Sequence, residues 1–263
     1  KEVAHTSKLF QKHVASMDAL RDSMRHAQQL LSRDLSKLGE TIPKDETASV
    51  RLWELARGAI FASTVGPLLS TYIANEENAK IYEVFEKAVP LLFAGVPPFL
   101  LKDAIKARDI LIKESGTPEY LEQASPLIKA RKAELTHTAD ALDRGHVGMI
   151  FASAGNTTAM AFWLLYELLR DPKAFDAIEK EVMSTVGNDA FFSMEQLDKM
   201  VNLQSAFMET ARMYHAGFKP SMVKKDMVVD CGKKGKFLLK GGTRIMSFDQ
   251  IVHYDADIFE DPE

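Results

Sequence analysis

Apolar residues recur every three or four positions through most of the first 214 residues, a spacing typical of amphipathic helices. The pattern predicts helices over residues 17–38, 50–69, 77–92, 102–113, 118–134, 140–170, 173–186 and 200–214. Thr117 before Pro118 is a typical helix start, and Ser193 opens an acidic turn of capping-box composition. The chain is therefore predicted to be mainly helical.

The pattern changes after residue 214. Short β-rich stretches at 227–229, 236–239 and 243–246 are separated by glycines. We expect one domain over residues 1–263, mainly helical over 1–214 and β-rich over 215–263. The predicted fold class is mainly α with a small β region.

Two apolar segments raise the question of a membrane. Residues 147–166 carry no charge and are long enough to span a bilayer, but Ser153, Asn156 and Thr157 lie at their centre. Such groups need polar partners, which favours a helix buried inside a large protein. Residues 88–101 are too short to span and contain three prolines, so they either dip into a membrane surface or pack.

Composition narrows the possible partners. The 263 residues carry a net charge of −4, without the basic excess that binding to nucleic acid requires. The single cysteine, Cys231, excludes an internal disulfide and a thiolate zinc cluster, and it fits a reducing compartment. The histidines show no metal-ligand spacing, so we expect no metal ligand within the chain.

Charged and turn residues follow a distinctive order near the end of the chain. Glu209 and Arg212, three apart, lie in the otherwise apolar segment 207–214 and are expected to pair. Alone, such a pair is common on exposed helices. It is followed by Gly241-Gly242-Thr243, His253-x-Asp255, Phe259 and Asp261-Pro262.

In this order the motifs resemble the late part of the cytochrome P450 family of haem-thiolate enzymes, although Ala256 replaces a usual proline. The resemblance implies a partial cytochrome P450 fold, with Glu209 and Arg212 in a buried salt bridge to an arginine beyond Glu263. It also implies an axial cysteine beyond Glu263. The chain would then be incomplete at both ends and inactive as given.

The long helix carries the segment that resembles this family's oxygen-activation motif. Counting back from Asp171-Pro172 places Gly155 at the position of the family's usual acid and Asn156 at the position of its usual threonine. Both are expected to be catalytic residues. An alternative register places the motif at residues 154–158. The substitution resembles the branch with sterol 7α- and 12α-hydroxylases and prostacyclin synthase. Asn156 would hold a water or contact a substrate oxygen, or else bond a neighbouring carbonyl.

The resemblance also implies haem b as the cofactor, with Ala152 and Lys219 as candidate contacts. Ser221 occupies the position of the usual propionate arginine, and Lys219 or Lys224 would substitute for it. Trp53 and Arg57 imitate a propionate-binding pair, but we expect a core tryptophan and a surface arginine. Cys231 lies in the wrong place to bind iron.

The implied activity is a haem-dependent monooxygenase that hydroxylates a hydrophobic small molecule, a sterol or other lipid. Its partners would be NADPH–cytochrome P450 reductase and a membrane surface, on the cytosolic face of the endoplasmic reticulum. Two alternatives stay open. One is a haem-thiolate isomerase acting on a lipid peroxide, and the other is a non-catalytic, haem-free remnant of the fold.

Overall fold

A computed structural model describes residues 2–43, 46–135, 139–187, 191–215 and 217–260. The α-helices are α1 (Glu2–His13), α2 (Met17–Glu40), α3 (Leu52–Leu68), α4 (Glu76–Phe93), α5 (Lys102–Glu114), α6 (Pro118–Glu122), α7 (Pro126–Glu134), α8 (Ala139–Ile150), α9 (Asn156–Arg170), α10 (Pro172–Val186), α11 (Met194–Leu197), α12 (Val201–Tyr214) and α13 (Asp249–His253). The strands are β1 (Phe218–Met222), β2 (Met227–Asp230), β3 (Lys236–Leu239) and β4 (Arg244–Phe248). The predicted fold class is confirmed.

The chain groups into two compact units, Lys1–Val201 and Asn202–Glu263. The boundary precedes the predicted change at residue 214, so α12 belongs with the β region. The expectation of one domain over the whole chain stays a prediction.

Capping side chains set two of the helix boundaries. The Thr117 hydroxyl accepts a hydrogen bond from the backbone of Tyr120, which confirms the predicted start of α6. The single helix expected over 118–134 is wrong, because it divides into α6 and α7. Ser125 caps α7 and Pro126 begins it, while the Ser125 hydroxyl donates to the carbonyl of Leu68.

The Ser193 turn forms a capping box, completed by Gln196 rather than by an acidic residue. The Ser193 hydroxyl accepts from the Gln196 backbone, and the Gln196 side chain accepts from the Ser193 backbone at 2.8 Å. This reciprocal pair begins α11.

The hydrophobic core of the first unit is built around α3, which packs against α2, α4 and α9. Phe61 and Tyr82 form an aromatic contact inside it, with ring centroids 5.7 Å apart. Its fully buried members are Phe61, Val65, Leu69, Ile73, Tyr82, Leu111, Tyr120, Ile128 and Ile150.

The long helix predicted over 140–170 is present as α8 and α9, joined by a π-helical turn at Phe151–Gly155. One helix in the described ranges, Asp140–Arg170, passes a length and composition test for a membrane span. However, α8 packs against α5 and α9 packs against α3, and Asp143 and His146 of α8 are buried. The expected role as an internal helix therefore agrees with α8, whereas in α9 the buried residues among those described are Thr158 and Leu168.

The β region consists of two antiparallel pairs. The predicted strands at 227–229 and 236–239 form the β2–β3 pair, with Met227 opposite Leu239. The third predicted strand, β4, pairs with β1, with Phe218 opposite Phe248. The pattern missed β1, since Pro220 within it is disfavoured in strands. It also missed the helices α1 and α13.

Candidate functional site

The π turn interrupts the long helix where the oxygen-activation segment was expected. The Ser153 hydroxyl donates to the carbonyl of Met149 at 2.9 Å, and the Thr157 hydroxyl donates to the carbonyl of Ser153 at 2.7 Å. Hydroxyls that bond the preceding turn compete with backbone bonding and distort helices. A single π turn inside an α-helix is frequently found at functional sites.

The two candidate registers of this segment differ in exposure. Ala152 and Asn156, expected from the preferred register, are both exposed, whereas Thr158 of the alternative register is buried, with 5% of its surface accessible. The Asn156 side chain makes no hydrogen bond with other described residues, so it does not bond a neighbouring carbonyl. Its amide is available to a ligand, and its catalytic role stays a prediction.

Gly155 faces a carboxyl group that belongs to another helix. A Cβ atom built on Gly155 would lie 2.7 Å from Oε1 of Glu86 and 3.4 Å from the hydroxyl of Tyr82. Tyr82 donates a hydrogen bond of 3.0 Å to the same Glu86 oxygen. Burial raises the pKa of Glu86, and burial beside Glu86 also raises the pKa of Tyr82. No pattern in the sequence pointed to Glu86 or Tyr82, which precede the π turn by several helices.

The pKa of a second carboxylate on α4, Glu83, is shifted in the opposite direction. Glu83 accepts from Arg57 at 2.5 Å and from Lys87 at 2.6 Å. The hydrogen bond from Arg57, with a further one from Lys87, lowers the pKa of Glu83. Two carboxyls one turn apart on α4 therefore have pKa values shifted in opposite directions.

The expectation of a core tryptophan and a surface arginine at residues 53 and 57 is wrong. Trp53 is 39% exposed and packs edge-on against Phe162, with ring centroids 5.3 Å apart. The Arg57 side chain is only 14% exposed. Arg57 is covered because it pairs with Glu83, and a charge can be buried only when a partner is present.

The expected ion pair in the second unit is present. Arg212 donates to both oxygens of Glu209, from Nε at 2.8 Å and from Nη2 at 2.7 Å. The guanidinium side chain is 12% exposed, but the Glu209 side chain is 55% exposed. The ion pair itself is therefore present, and its burial together with an arginine beyond Glu263 stays a prediction. Bonding to Arg212 lowers the pKa of Glu209.

Arg212 also connects the predicted His253 turn to α12 through hydrogen bonds. Its Nη1 donates to the carbonyl of His253 at 2.6 Å, and Nδ1 of His253 lies 3.1 Å from the carbonyl of Arg212. The guanidinium lies 5.6 Å from the ring centre of Tyr254 and 5.5 Å from that of Phe259. Glu209, Arg212, His253 and Phe259 of the motif order thus meet in one three-dimensional cluster, called the Arg212 cluster below. Asp261 and Pro262 lie outside the described residues.

The remaining candidates lie on the β region. Lys219 is exposed on β1, opposite Ser247, and Ser221 lies opposite Ile245 on the same pair. Cys231 is an exposed free thiol between β2 and β3, as expected. No group of three or more histidine, cysteine or acidic side chains in the described ranges could hold a metal ion.

Three curated relatives are similar to this chain in sequence. The chain is 25% identical over 269 residues to mouse (Mus musculus) cytochrome P450 7B1, covering 94% of the chain and 52% of that protein. It is 27% identical over 201 residues to cholesterol 7-alpha-monooxygenase from Cricetulus griseus, covering 70% and 40%. It is 30% identical over 138 residues to prostacyclin synthase from Rattus norvegicus, covering 49% and 28%. The chain spans about half the length, or less, of these relatives.

A solved structure and a family model agree with the relatives. The structure of retinoic acid bound cyanobacterial CYP120A1 matches with a TM-score of 0.71 at 16% identity, over 97% of this chain and 58% of that one. The fold is therefore shared. The family model for cytochrome P450 matches residues 113–263, which include the π turn and the Arg212 cluster. The chain belongs to the cytochrome P450 family.

Proposed function

We propose that the protein is a haem-dependent monooxygenase that hydroxylates a hydrophobic substrate, a sterol or a related lipid. The observation that carries this proposal is the π turn, which exposes Ala152 and Asn156 side by side in a chain of this family. The name of the Cricetulus griseus relative, cholesterol 7-alpha-monooxygenase, supports the substrate class.

The residues of the π turn fit one face of a haem. Ala152 is small and exposed, so a flat macrocycle could approach the helix closely, and Asn156 one turn later offers an amide donor and acceptor. Lys219 belongs to the second unit and is exposed, and its role as a propionate contact stays a prediction. When bound, haem in this family supplies oxygen activation through a thiolate-ligated iron. The described residues do not supply that thiolate, since Cys231 is a solvent-exposed hairpin thiol.

The experiment is a carbon-monoxide difference spectrum of the full-length protein that carries this chain, followed by turnover with a sterol panel, NADPH and cytochrome P450 reductase. We expect a haem-thiolate spectrum and a hydroxylated sterol whose formation needs both NADPH and the reductase. The Asn156→Ala variant should lose product formation while keeping the spectrum. A wild-type protein without the spectrum would contradict the proposal and favour a haem-free remnant.

The likeness to prostacyclin synthase favours one second candidate, a haem-thiolate isomerase of a lipid peroxide. Asn156 would then contact a substrate oxygen directly, and no external electrons would be consumed. Conversion of a lipid hydroperoxide without NADPH or reductase, together with no sterol hydroxylation, would select this candidate.

We also propose that the protein contacts a membrane surface, namely the cytosolic face of the endoplasmic reticulum. The turn between α4 and α5 exposes Phe93 (82%), Phe99 (67%) and Leu100 (64%). Next to it, Lys102, Lys106 and Lys113 flank an apolar groove of about 660 Å³. Exposed apolar side chains beside lysines suit the interface of an anionic membrane. The Phe93→Ser/Phe99→Ser variant should lose sedimentation with vesicles containing phosphatidylserine, whereas Met183→Ser, also exposed, should not.

A further inference from the structure

In the preferred register of the oxygen-activation segment, Gly155 stands at the position of the acid that the family normally carries. The space beside Gly155 is nevertheless occupied by a carboxyl group. Oxygen Oε1 of Glu86 lies 2.7 Å from the position of a Cβ on residue 155, closer than real Cβ atoms approach other atoms. Glu86 thus fills the volume into which a side chain on residue 155 would point.

We propose that Glu86 is the proton-holding carboxyl of this site, supplied by α4 in the place that a side chain on residue 155 would otherwise take. The proposal rests on the monooxygenase function proposed above. The carboxyl would release one proton to a water held by the Asn156 amide and become a carboxylate, and it would regain a proton from solvent on its open side, because Glu86 is only half-buried. No electrons move in this step.

The charged groups around Glu86 explain why it, and not Glu83, would hold the proton. Arg57 of α3 and Lys87 of α4 both bond Glu83 directly, at 2.5 and 2.6 Å. Glu86 is bonded by the neutral hydroxyl of Tyr82, and the π turn places a glycine against it. A carboxyl with two cations stays ionised, whereas a partly buried carboxyl bonded by a neutral donor keeps its proton more readily.

The opposite pKa shifts agree with this geometry. Burial raises the pKa of Glu86, and bonding to Arg57 lowers the pKa of Glu83. In enzymes, two neighbouring titratable groups whose pKa values are shifted in opposite directions are typically the acid and the base. Structural ion-pair networks shift pKa values too, so the test needs a readout that a structural role would not change.

The first measurement is independent of turnover. In the full-length protein labelled with ¹³C at glutamate Cδ, the resonance that disappears in Glu86→Gln should titrate above the ordinary glutamate pKa of about 4.3. The resonance that disappears in Glu83→Gln should titrate below it. A Glu86 resonance that titrates at or below the ordinary value would overturn the proposal.

The second measurement is the ratio of product formed to NADPH consumed, in water and in deuterium oxide. Glu86→Gln keeps the shape of the side chain but holds no acidic proton, so we expect the ratio to fall about tenfold or more and the solvent isotope effect to change. The control Glu77→Gln changes an exposed glutamate at the start of the same helix and should leave both values as in the wild type.

A variant in which the carboxyl group is moved to residue 155 distinguishes a role of Glu86 in proton delivery from a role in packing. Glu86→Ala combined with Gly155→Glu moves the acid from α4 to the π turn and should recover most of the coupling that Glu86→Ala alone loses. Full coupling in Glu86→Gln would overturn the proposal. If the wild-type protein hydroxylates no lipid, the proposed function fails, and the titration of Glu86 alone then decides whether this carboxyl holds the proton.

Discussion

Each of the two compact units is stabilised by a different kind of internal contact. The helical unit buries a continuous apolar cluster around Phe61, Leu69 and Tyr82. In residues 202–260, Val223 is the one buried apolar side chain among those described, and the ties are the contacts of Arg212 and two strand pairs. Apolar burial scales with area, whereas a polar cluster depends on a few bonds. A single substitution in the second unit should therefore remove a larger share of its stabilising contacts.

The largest expected effect tests whether apolar burial stabilises the helical unit. Phe61 is 1% exposed, so Phe61→Ala would leave a cavity and lower the free energy of unfolding by about 3–5 kcal/mol. Phe93→Ala is the control, because Phe93 is 82% exposed and should change that free energy by less than about 0.5 kcal/mol. Denaturant unfolding followed by circular dichroism measures both. Equal effects would show that the cluster around Phe61 is not the core.

The next effect tests the polar side. Arg212→Ala removes two bonds to Glu209 and leaves the carbonyl of His253 without its 2.6 Å donor, so we expect a loss of about 2–3 kcal/mol. Arg51→Ala removes a pair of the same three-residue spacing in which both side chains are exposed. That variant should lose less than about 1 kcal/mol. Denaturant unfolding measures both losses. Equal losses of unfolding free energy in Arg212→Ala and Arg51→Ala would contradict this prediction.

A pH effect tests whether the helical unit also depends on buried polar groups. His146 is fully buried, and burial lowers its pKa to about 3 from 6.5. The unfolded chain binds a proton at higher pH than the folded chain, so stability is highest above pH 6.5 and falls as the pH drops. From pH 7 to pH 5 the expected loss is about 2 kcal/mol.

The measurement is denaturant unfolding at pH 7 and pH 5 for the wild type and for His146→Gln. The variant should be less stable at pH 7, since the ring nitrogen near the Tyr120 hydroxyl is lost. Its stability should depend less on pH across this interval. An unchanged pH dependence would contradict the assignment to His146.

The smallest expected effect concerns the packing of the π turn. Gly155→Ala would place a methyl group against Glu86 and disturb its bond to Tyr82, which we expect to cost about 1–2 kcal/mol. Gly148→Ala on α8 has nothing within 4 Å of the added carbon and should stabilise the protein by up to about 1 kcal/mol. Thermal unfolding of the two variants should therefore shift in opposite directions.

The sequence predicted most helices because each spans several turns of a regular apolar pattern. It failed where a local signal was weak or contradictory, as at β1, where Pro220 opposes a strand, and at the break before Pro126. The Arg212 cluster was predictable in part, since its order of motifs is characteristic of the family. Glu86 was not, because its contact with Gly155 depends on how α4 packs against the π turn.

The π turn has a consequence for how this helix changes during evolution. A π turn is equivalent to one extra residue inserted into an α-helix. Deleting one residue from Phe151–Gly155 would therefore restore regular winding while the helix on either side of the turn keeps facing the same way. A single-codon deletion would thus remove the bulge while α8 and α9 keep their contacts with α5 and α3.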